Sequence, residues 1–374
     1  MGQVEIKAFG NVYSGKKVLV TGNTGFKGTW LSLWLLELGA EVYGFSNGLP
    51  GDTCMYQQIQ MEKRIHQIWA DVRDLDAVKQ AIETIKPDFV FHLAAQALVS
   101  VSYLNPTDTI STNVMGTANV LEALRLVNEP CTAVVITSDK CYDNVEWVWG
   151  YKETDAMGGK DIYSGSKGAA EIVFKSYFHS FFTQSTCRVK ICTARAGNVI
   201  GGGDWALDRI IPDCIRSWSQ GKPVEIRSPK ATRPWQHVLE PLSGYLTLGQ
   251  QLLLNNSYHG QSFNFGPQAE NNHTVVELLS EVGHIFGLPN NADAFTVCGD
   301  VPFHEAGLLK LNCDKALFYL KWLPTLNYDE LTIFTADWYK SWHEAQANLY
   351  DFTLNQLNAY QQLAVERQRI WIQK

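Results

Sequence analysis

The chain has 374 residues, 45% of them hydrophobic and 18% charged, so it can bury one large or two modest cores. Its net charge of −7, with no basic run, argues against nucleic acid or an anionic membrane surface as the main partner. No apolar run reaches the ~20 residues of a membrane-spanning helix, and the N-terminus lacks a signal-peptide core, so we expect a soluble cytoplasmic protein. The eight cysteines include no Cys-x-x-Cys pair, which favours reduced thiols over a disulfide framework or a zinc site.

A short apolar strand, Lys16–Val20, is followed at once by a turn with three glycines and then by an apolar helix. Glycines spaced three apart allow a tight turn, close approach of the backbone to a pyrophosphate and close packing of helix on strand. The helix N-terminus offers free N–H groups and a positive dipole end to the phosphates. The sequence therefore predicts a dinucleotide-binding turn. Its candidate cofactor contacts are Gly22, Thr24, Gly25, Phe26, Lys27 and Gly28.

The next two predicted strands bear on the adenosine half of the cofactor. The second, Glu41–Phe45, ends without the acidic residue that usually binds the adenosine ribose of NAD. Ser46 and Asn47 follow, so the spacing leaves NAD and NADP both open. The third predicted strand ends at residues 70–72. Asp71 is equally well suited to accept a hydrogen bond from an adenine amino group and to serve as a polar loop residue or helix cap. We include Asp71 and Val72 among the candidate cofactor contacts.

The fourth predicted strand, Phe89–Ala95, ends in small residues that let a cofactor lie against the backbone. Its candidate contacts are Leu93, Ala94 and Ala95. We interpret His92, inside this strand, as a core histidine rather than a catalyst. Asn113 is predicted to begin a long helix and is a further candidate for cofactor binding.

A polar cluster follows the next apolar run. The β-branched stretch 133–137 predicts a buried parallel strand, so Ser138, Asp139 and Lys140 lie at its carboxyl end, where open α/β sheets bind ligands. Tyr163 and Lys167, four apart on a predicted helix, share one face. A lysine ammonium there is expected to move the tyrosine pKa from about 10 toward neutrality, where acid/base catalysis is most efficient. We predict that these five residues are catalytic.

Strands and helices alternate for about 170 residues, which predicts an α/β fold with a Rossmann-type doubly wound parallel sheet. After a further predicted strand, Arg188–Thr193, the alternation loosens and aromatic, proline and arginine residues mix in irregular segments. We predict an NAD-binding domain over residues 1–195 and a smaller α+β substrate-binding portion with C-terminal helices over 196–374. Whether segments near 230–260 return to the first domain is left open.

The second portion supplies the candidate substrate contacts. Arg209 and Arg233 are candidates for a diphosphate, because a guanidinium makes forked, charge-assisted hydrogen bonds to phosphate. Asn198 and His304 are further candidates. His304 and Glu305 have no partner at metal-ligand spacing, so no metal is assigned.

Together these residues resemble the extended short-chain dehydrogenase/reductase superfamily and, within it, the CDP-glucose 4,6-dehydratase family, over nearly the whole chain. The motifs that carry the resemblance are Thr21–Leu31, Gly197–Trp205 and Arg233–Pro241. The first is typical of the superfamily, whereas the other two are far more specific. The resemblance implies a lyase that uses NAD to convert CDP-glucose to CDP-4-dehydro-6-deoxyglucose, a precursor of deoxysugars for lipopolysaccharide O-antigen. It also implies a homodimer or homotetramer in the cytoplasm.

The resemblance further implies a role for each candidate catalytic residue. Tyr163 would take the proton of the sugar 4-hydroxyl, Lys167 would lower the tyrosine pKa and hold the nicotinamide ribose, and Ser138 would bond the 4-oxygen. Asp139 would protonate the leaving 6-hydroxyl. Lys140 would take the C5 proton, in a position where related dehydratases carry a glutamate. How a lysine becomes neutral enough for that step is left open.

Two other functions remain open on the sequence. A nucleotide-sugar 4-epimerase needs Tyr163 and Lys167 but no second acid/base pair, so the Asp139–Lys140 pair argues against it. A non-catalytic, dinucleotide-sensing binding protein on the same fold has no need of the whole catalytic set. The residues that bind the cytosine base cannot be identified from the sequence.

Overall fold

The computed structural model describes residues 7–268, 273–288, 290, 294–298, 308–345 and 348–373. Its strands are β1 (Lys7–Ala8), β2 (Lys17–Thr21), β3 (Glu41–Ser46), β4 (His66–Trp69), β5 (Phe89–His92), β6 (Cys131–Ile136), β7 (Val189–Ala196), β8 (Val199–Ile200), β9 (Val224–Ile226), β10 (Thr232–Arg233), β11 (Gln236–His237), β12 (Ser262–Phe265), β13 (His273–Thr274), β14 (Phe295–Val297) and β15 (Ile372–Gln373). Its α-helices are α1 (Phe26–Glu37), α2 (Met55–Gln58), α3 (Leu75–Ile85), α4 (Val99–Leu104), α5 (Pro106–Ile110), α6 (Gly116–Arg125), α7 (Ile162–Tyr177), α8 (Ile210–Trp218), α9 (Leu239–Leu254), α10 (Val275–Phe286), α11 (Tyr328–Glu344) and α12 (Leu349–Glu366).

Seven strands form one parallel sheet in the order β12-β7-β6-β5-β2-β3-β4. The chain runs outward from β2 through β3 to β4, then crosses to β5 and runs outward the other way. The strand order therefore reverses between β2 and β5, and ligands of doubly wound sheets bind outside the carboxyl ends at such a point. This arrangement confirms the predicted α/β fold with a Rossmann-type doubly wound sheet.

Both faces of the sheet are covered by helices, which explains why its strands are nearly continuous apolar runs. One face packs against α1 and α9, with buried side chains such as Trp30 and Leu242, and Trp338 of α11 belongs to the same core. The other face packs against α3, α6 and α7, with buried side chains such as Ile82 and Phe174. The sheet is thus the middle layer of three.

Two predicted strands are shorter than the sequence suggested, because each ends where its neighbour ends. The last residue of β4, Trp69, pairs with Ser46 at the end of β3, so the prediction that the strand ends at residues 70–72 was wrong. The last residue of β5, His92, pairs with Thr21 at the end of β2, which also corrects the predicted end at Ala95.

The sequence also predicts a helix through Leu75–Ile85 that ends at Pro87, and α3 covers these residues. The Asp74 side chain accepts hydrogen bonds from two backbone N–H groups of its first turn, and Lys86 ends it in a left-handed conformation. The helix predicted to begin at Asn113 does not begin there. Helical structure starts at Pro106, and Asn113 lies in a π-helical turn, Ser111–Met115, that leads into α6.

Beyond β7, short strands pair outside the sheet, β8 with β11, β9 with β14 and β10 with β13, and the chain returns to the sheet between β11 and β13. Helix α9 packs on β6 and β7, and β12 adds the edge strand beside β7. The division at residue 195 remains a prediction. All eight cysteines are free thiols. Within the described ranges, no helix has the length and apolarity to cross a membrane.

Candidate active site

The glycine turn between β2 and α1 leaves no room for side chains on its inner surface. A Cβ on Gly22, whose φ is +71°, would lie 2.7 Å from the backbone nitrogen of Ala94, and a Cβ on Gly28 would lie 2.1 Å from the Gly22 oxygen. Helix α1 begins after Gly25 with no side-chain cap, so its first N–H groups are available. A backbone cradle with free helix N–H groups fits a dinucleotide pyrophosphate. The Thr24 hydroxyl secures the turn by donating to the Gly48 oxygen over 2.8 Å.

The end of β3, where an adenosine ribose would lie, carries amides and hydroxyls instead of a carboxylate. The Ser46 hydroxyl donates to Asn23 Oδ1 over 2.9 Å, and Asn47 Nδ2 donates to Asp71 Oδ2 over 3.0 Å. The Arg73 side chain binds Asp71 over 2.7 Å, which holds the Asp71 pKa at about 2. The helix cap nearby is Asp74, so Asp71 is not the cap. Its ionised carboxylate can accept a hydrogen bond from an amino group.

The other candidate cofactor contacts have different surroundings. Leu93 and Ala94 are half-buried, and their N–H groups donate to Thr21. Ala95 follows them, also half-buried, while Val72 is buried against Gly116.

The Asn113 amide is already fully engaged with protein atoms. It accepts from the Gln96 N–H over 2.8 Å and donates to the Gln96 oxygen and, over 2.9 Å, to Ser166 Oγ. Asn113 is also 2% exposed. It therefore joins the loop after β5 to helix α7. Sequence reasoning did not assign this structural role.

Ser138 and Asp139 lie directly after β6 at the carboxyl edge of the sheet. Ser138 Oγ donates to Asp139 Oδ1 over 2.9 Å and accepts from the Lys140 N–H over 3.3 Å. The other carboxylate oxygen of Asp139 lies against Gly197, where a Cβ would come within 3.1 Å of it. The Lys140 side chain is half-buried. The first two residues of the predicted catalytic cluster are thus in hydrogen-bond contact.

Tyr163 and Lys167 lie on one face of α7, which begins after the capping residue Asp161. Lys167 Nζ is 5.9 Å from the centre of the Tyr163 ring, and both side chains are buried. Burial raises the pKa of Tyr163 to about 12, and the groups that oppose it are Arg209 and a hydrogen bond with Ser138. In this geometry burial outweighs the opposing charges, so the predicted shift of the Tyr163 pKa toward neutrality is not found. Burial also lowers the pKa of Lys167 itself, to about 8.

Lys27 has neighbours that the sequence did not reveal. It is half-buried in the first turn of α1, and burial lowers its pKa to about 8. The charges of Arg209 and Lys167 lower this pKa further, whereas those of Asp139 and Asp204 raise it. The glycine motif identified Lys27 as a candidate cofactor contact, but the sequence gave no sign of these charged surroundings.

Arg209 crosses the mouth of the site from the start of α8. It donates to the Ala97 oxygen over 3.3 Å and lies 3.8 Å from Asp204. Ala97 follows β5, so this arginine reaches from the C-terminal half of the chain to the carboxyl edge of the sheet. The structure thus places Arg209 at this edge, and its role as a substrate contact stays a prediction.

The remaining candidate substrate contacts are less closely grouped. Asn198 is half-buried beside Gly197, and its backbone oxygen accepts a hydrogen bond from the Gln236 N–H over 3.2 Å. Arg233 is half-buried in β10, which pairs with β13. His304 lies outside the described residues.

Sequence reasoning also missed two buried charges behind the site, Glu171 and Arg195, which form an ion pair. The available signal was an arginine in an apolar strand and a glutamate on the buried face of a helix.

Comparison with known proteins relates this site to sugar-nucleotide chemistry. The family model for GDP-mannose 4,6-dehydratase matches residues 19–332. Over 335 residues the chain is 44% identical to the CDP-glucose 4,6-dehydratase of Salmonella typhimurium, covering 89% of this chain and 92% of that protein. It is 26% identical to the CDP-paratose 2-epimerase of Salmonella typhi, covering 70% and 82%.

Solved structures with a similar fold include both epimerases and dehydratases. The epimerase Mth375 of Methanothermobacter thermautotrophicus matches with a TM-score of 0.75 and 23% identity, covering 91% of this chain and 97% of that one. The dTDP-glucose 4,6-dehydratase of Streptomyces venezuelae, solved with NAD bound, matches with a TM-score of 0.73 and 19% identity, covering 89% and 99%.

Proposed function

The chain belongs to the GDP-mannose 4,6-dehydratase family, and from this we propose that it dehydrates CDP-D-glucose to CDP-4-dehydro-6-deoxy-D-glucose with NAD as cofactor. One observation carries the proposal. Ser138 donates a hydrogen bond to Asp139, a group for elimination across C5 and C6, and it also lowers the pKa of Tyr163, the group for oxidation at C4. Oxidation and elimination are the two chemistries that a 4,6-dehydratase must combine.

The glycine cradle and the start of α1 would hold the NAD pyrophosphate, with Asp71 toward the adenine and Lys167 toward the nicotinamide ribose. Bound NAD would supply the two-electron acceptor for C4 and the two-electron donor for C6. The protein's own part in oxidation is to orient the sugar and to move a proton. Tyr163 takes the proton of the 4-hydroxyl while Ser138 holds the 4-oxygen.

Elimination needs a base for the C5 proton and an acid for the leaving 6-hydroxyl, because the C4 ketone makes C5–H acidic. Lys140, next to Asp139, is proposed as the base that removes the C5 proton. Asp139 is proposed as the acid that protonates the leaving 6-hydroxyl. The 4-epimerase alternative would use Tyr163 and Lys167 alone and gives no reason for a buried carboxylate bonded to Ser138.

Arg209, Arg233, Asn198 and His304 are proposed to bind the CDP-glucose, the arginines through its diphosphate. We also propose that the chain works in the cytoplasm as a homodimer or homotetramer. In this proposal, residues 1–195 bind the dinucleotide, together with segments near 230–260 that return to the sheet, and the rest of 196–374 binds the sugar nucleotide.

The test is to incubate the purified protein with NAD and a panel of nucleotide-diphospho-glucoses that differ in base, and to identify the products by mass. Loss of one water from CDP-glucose, in preference to the UDP, dTDP and GDP sugars, is the expected result. Unchanged mass with inverted C4 stereochemistry would instead identify an epimerase. Binding of NAD without any turnover would favour the sensing protein.

A further inference from the structure

Tyr142 ends the short 3₁₀ turn, Asp139–Cys141, that carries the proposed acid and base of the elimination step. We propose that Tyr142 is a positioning residue, whose buried hydroxyl fixes the end of this turn so that Asp139 and Lys140 are held where elimination needs them. The proposal rests on the proposed dehydratase function and assigns a residue that supports its second step.

The hydrogen bonds within the turn are long. Two of them join backbone atoms, over 3.3 and 3.4 Å, and a third joins the Lys140 N–H to Ser138 Oγ over 3.3 Å. Hydrogen bonds from a backbone N–H to oxygen usually span about 2.9–3.0 Å, so these three are weak. The position of the turn therefore depends on what holds the residues on either side of it.

The side chain of Arg195, fully buried in β7, connects the two sides of the turn. Before the turn, the Thr137 hydroxyl donates to Glu171 over 2.5 Å, and Arg195 binds Glu171 through Nε and Nη2 over 2.9 and 2.7 Å. After the turn, Arg195 Nη1 donates to the Tyr142 hydroxyl over 2.6 Å. Because the guanidinium is planar and rigid, it keeps these two attachment points at a fixed separation. The turn between them is thereby held at both ends.

Asn264, which pairs with Arg195 on the neighbouring strand β12, fixes the Tyr142 hydroxyl from the other side. Its Nδ2 donates to the backbone oxygens of Tyr151 and Asn312, over 2.9 and 3.1 Å, so its Oδ1 is left as an acceptor. The Tyr142 hydroxyl donates to this Oδ1 over 2.8 Å while it accepts from Arg195. The Tyr142 proton is therefore committed to Asn264, which suits a residue that holds the turn and not one that gives a proton to the substrate.

Loss of the Tyr142 hydroxyl should affect the two steps of the reaction differently. The residues proposed for oxidation lie outside the turn, because Ser138 directly follows the anchored Thr137 and Tyr163 is carried by α7. Asp139 and Lys140 lie inside the turn and lose one of its two anchors. Oxidation at C4 should therefore proceed, whereas elimination across C5 and C6 should slow.

The experiment compares Tyr142→Phe with wild type on CDP-glucose and NAD in D₂O. Phenylalanine keeps the ring, which stacks on Tyr151 with the centroids 5.2 Å apart, and removes only the hydroxyl. Reduced NAD should form near the wild-type rate. Elimination and deuterium uptake at C5 should slow by about 10–10²-fold, the cost of a small misplacement of reacting groups, so reduced NAD and the 4-ketosugar should accumulate. The pH dependence of the remaining elimination should match wild type, because the proposed acid and base are unchanged.

Tyr151→Phe is the matched control. The Tyr151 hydroxyl accepts from the Val145 N–H over 2.8 Å and donates to Asn144 Oδ1 over 3.0 Å. This variant therefore also removes two hydrogen bonds from the segment after β6, but it leaves the Tyr142 hydroxyl in place. It should keep the wild-type balance between oxidation and elimination.

Four outcomes would overturn the proposal. Equal losses of oxidation and elimination, including failure of Tyr142→Phe to fold, would make Tyr142 a residue of the fold only. An altered pH profile would make it a proton donor or acceptor in the reaction. Wild-type rates of both steps would show that the turn keeps its position without the hydroxyl, and the same imbalance in Tyr151→Phe would show that any loosening of this segment has the effect. Failure of the wild type itself to dehydrate CDP-glucose would instead contradict the proposed function.

Discussion

Arg195 Nη2 lies 2.7 Å from Glu171 Oε2, and neither side chain is exposed to solvent. Glu171 also accepts from the hydroxyls of Thr137 and Thr193, over 2.5 and 3.1 Å. Thr137 directly precedes Ser138, and Glu171 lies one helical turn beyond Lys167. The ion pair therefore fixes the position of α7, with Tyr163 and Lys167, against the strand end that carries Ser138.

Replacement of Glu171 by Gln should destabilise the protein by about 3–5 kcal/mol, because it leaves the Arg195 charge buried without its counter-ion. Chemical denaturation of the variant measures this loss. The double variant Glu171→Leu, Arg195→Met is the control, since it removes both charges and should be the more stable of the two. A single variant as stable as wild type would show that the pair does not hold the two elements together.

The sequence predicted the sheet because each of its inner strands is a nearly continuous apolar run, and it predicted where α3 ends because Pro87 follows. It could not predict the ends of β4 and β5, which depend on where a neighbouring strand stops.

The same limit applies to the site. Ser138 and Tyr163 were identifiable because both adjoin strong local patterns. The charged surroundings of Lys27 and the Glu171–Arg195 pair depend on elements that meet only after folding, and spacing along the chain does not reveal them.

Replacement of Arg233 by Ala should raise the KM for CDP-glucose much more than it lowers kcat. A diphosphate is bound alike in the ground and transition states, so an arginine that holds it contributes uniform binding. Steady-state kinetics measure both constants. Arg188→Ala, at an exposed arginine by the amino end of β7, is the matched control and should change neither. A loss confined to kcat would assign Arg233 to the chemical step instead.

Added NAD should stimulate the purified protein. Ser46 and Asn47 stand where a carboxylate would bind the adenosine ribose, and both are already hydrogen-bonded within the protein. One missing charged hydrogen bond corresponds to roughly 1.5–3 kcal/mol, or about 10–150-fold in affinity. The measurement is the NAD content of protein purified without additives, together with its activity before and after NAD is supplied. Full occupancy at purification would contradict this expectation.

The stability of the protein should fall as the pH rises from about 4.5 to about 7, in part because of Glu240. Burial raises the pKa of this carboxyl to about 7, although it accepts hydrogen bonds from Thr325, Leu326 and Tyr360. A group whose pKa is raised on folding stabilises the folded state when protonated, so its contribution is complete below the unfolded pKa and is lost through the folded one.

Glu240→Gln should remove that part of the slope, about 3 kcal/mol between the two pH values. Urea denaturation of wild type and variant across this range measures the difference. The difference isolates Glu240, since every other titrating group is shared by the two proteins. Parallel stability curves would show that Glu240 ionises normally.

Tyr163→Phe and Lys140→Ala should fail at different steps. Without the phenol no group takes the 4-hydroxyl proton, so oxidation should slow by about 10²–10⁴-fold and no reduced NAD should appear. Without Lys140, oxidation should proceed, and the 4-ketosugar and reduced NAD should accumulate because C5–H is not removed. Near-ultraviolet absorbance of reduced NAD after mixing with CDP-glucose distinguishes the two.

Deuterium exchange at C5 tests the lysine directly. The native enzyme should place solvent deuterium at C5, whereas Lys140→Ala should place almost none. The competing explanation is that Lys140 merely forms an ion pair at the strand end with Asp139 or Glu153. Among the described residues no ion pair joins Lys140 to Glu153, and Lys315 and Arg195 lower the Glu153 pKa, which weakens the Glu153 half of that explanation. If Lys140→Ala lost stability but still exchanged C5 at a near-native rate, another residue would have to be the base.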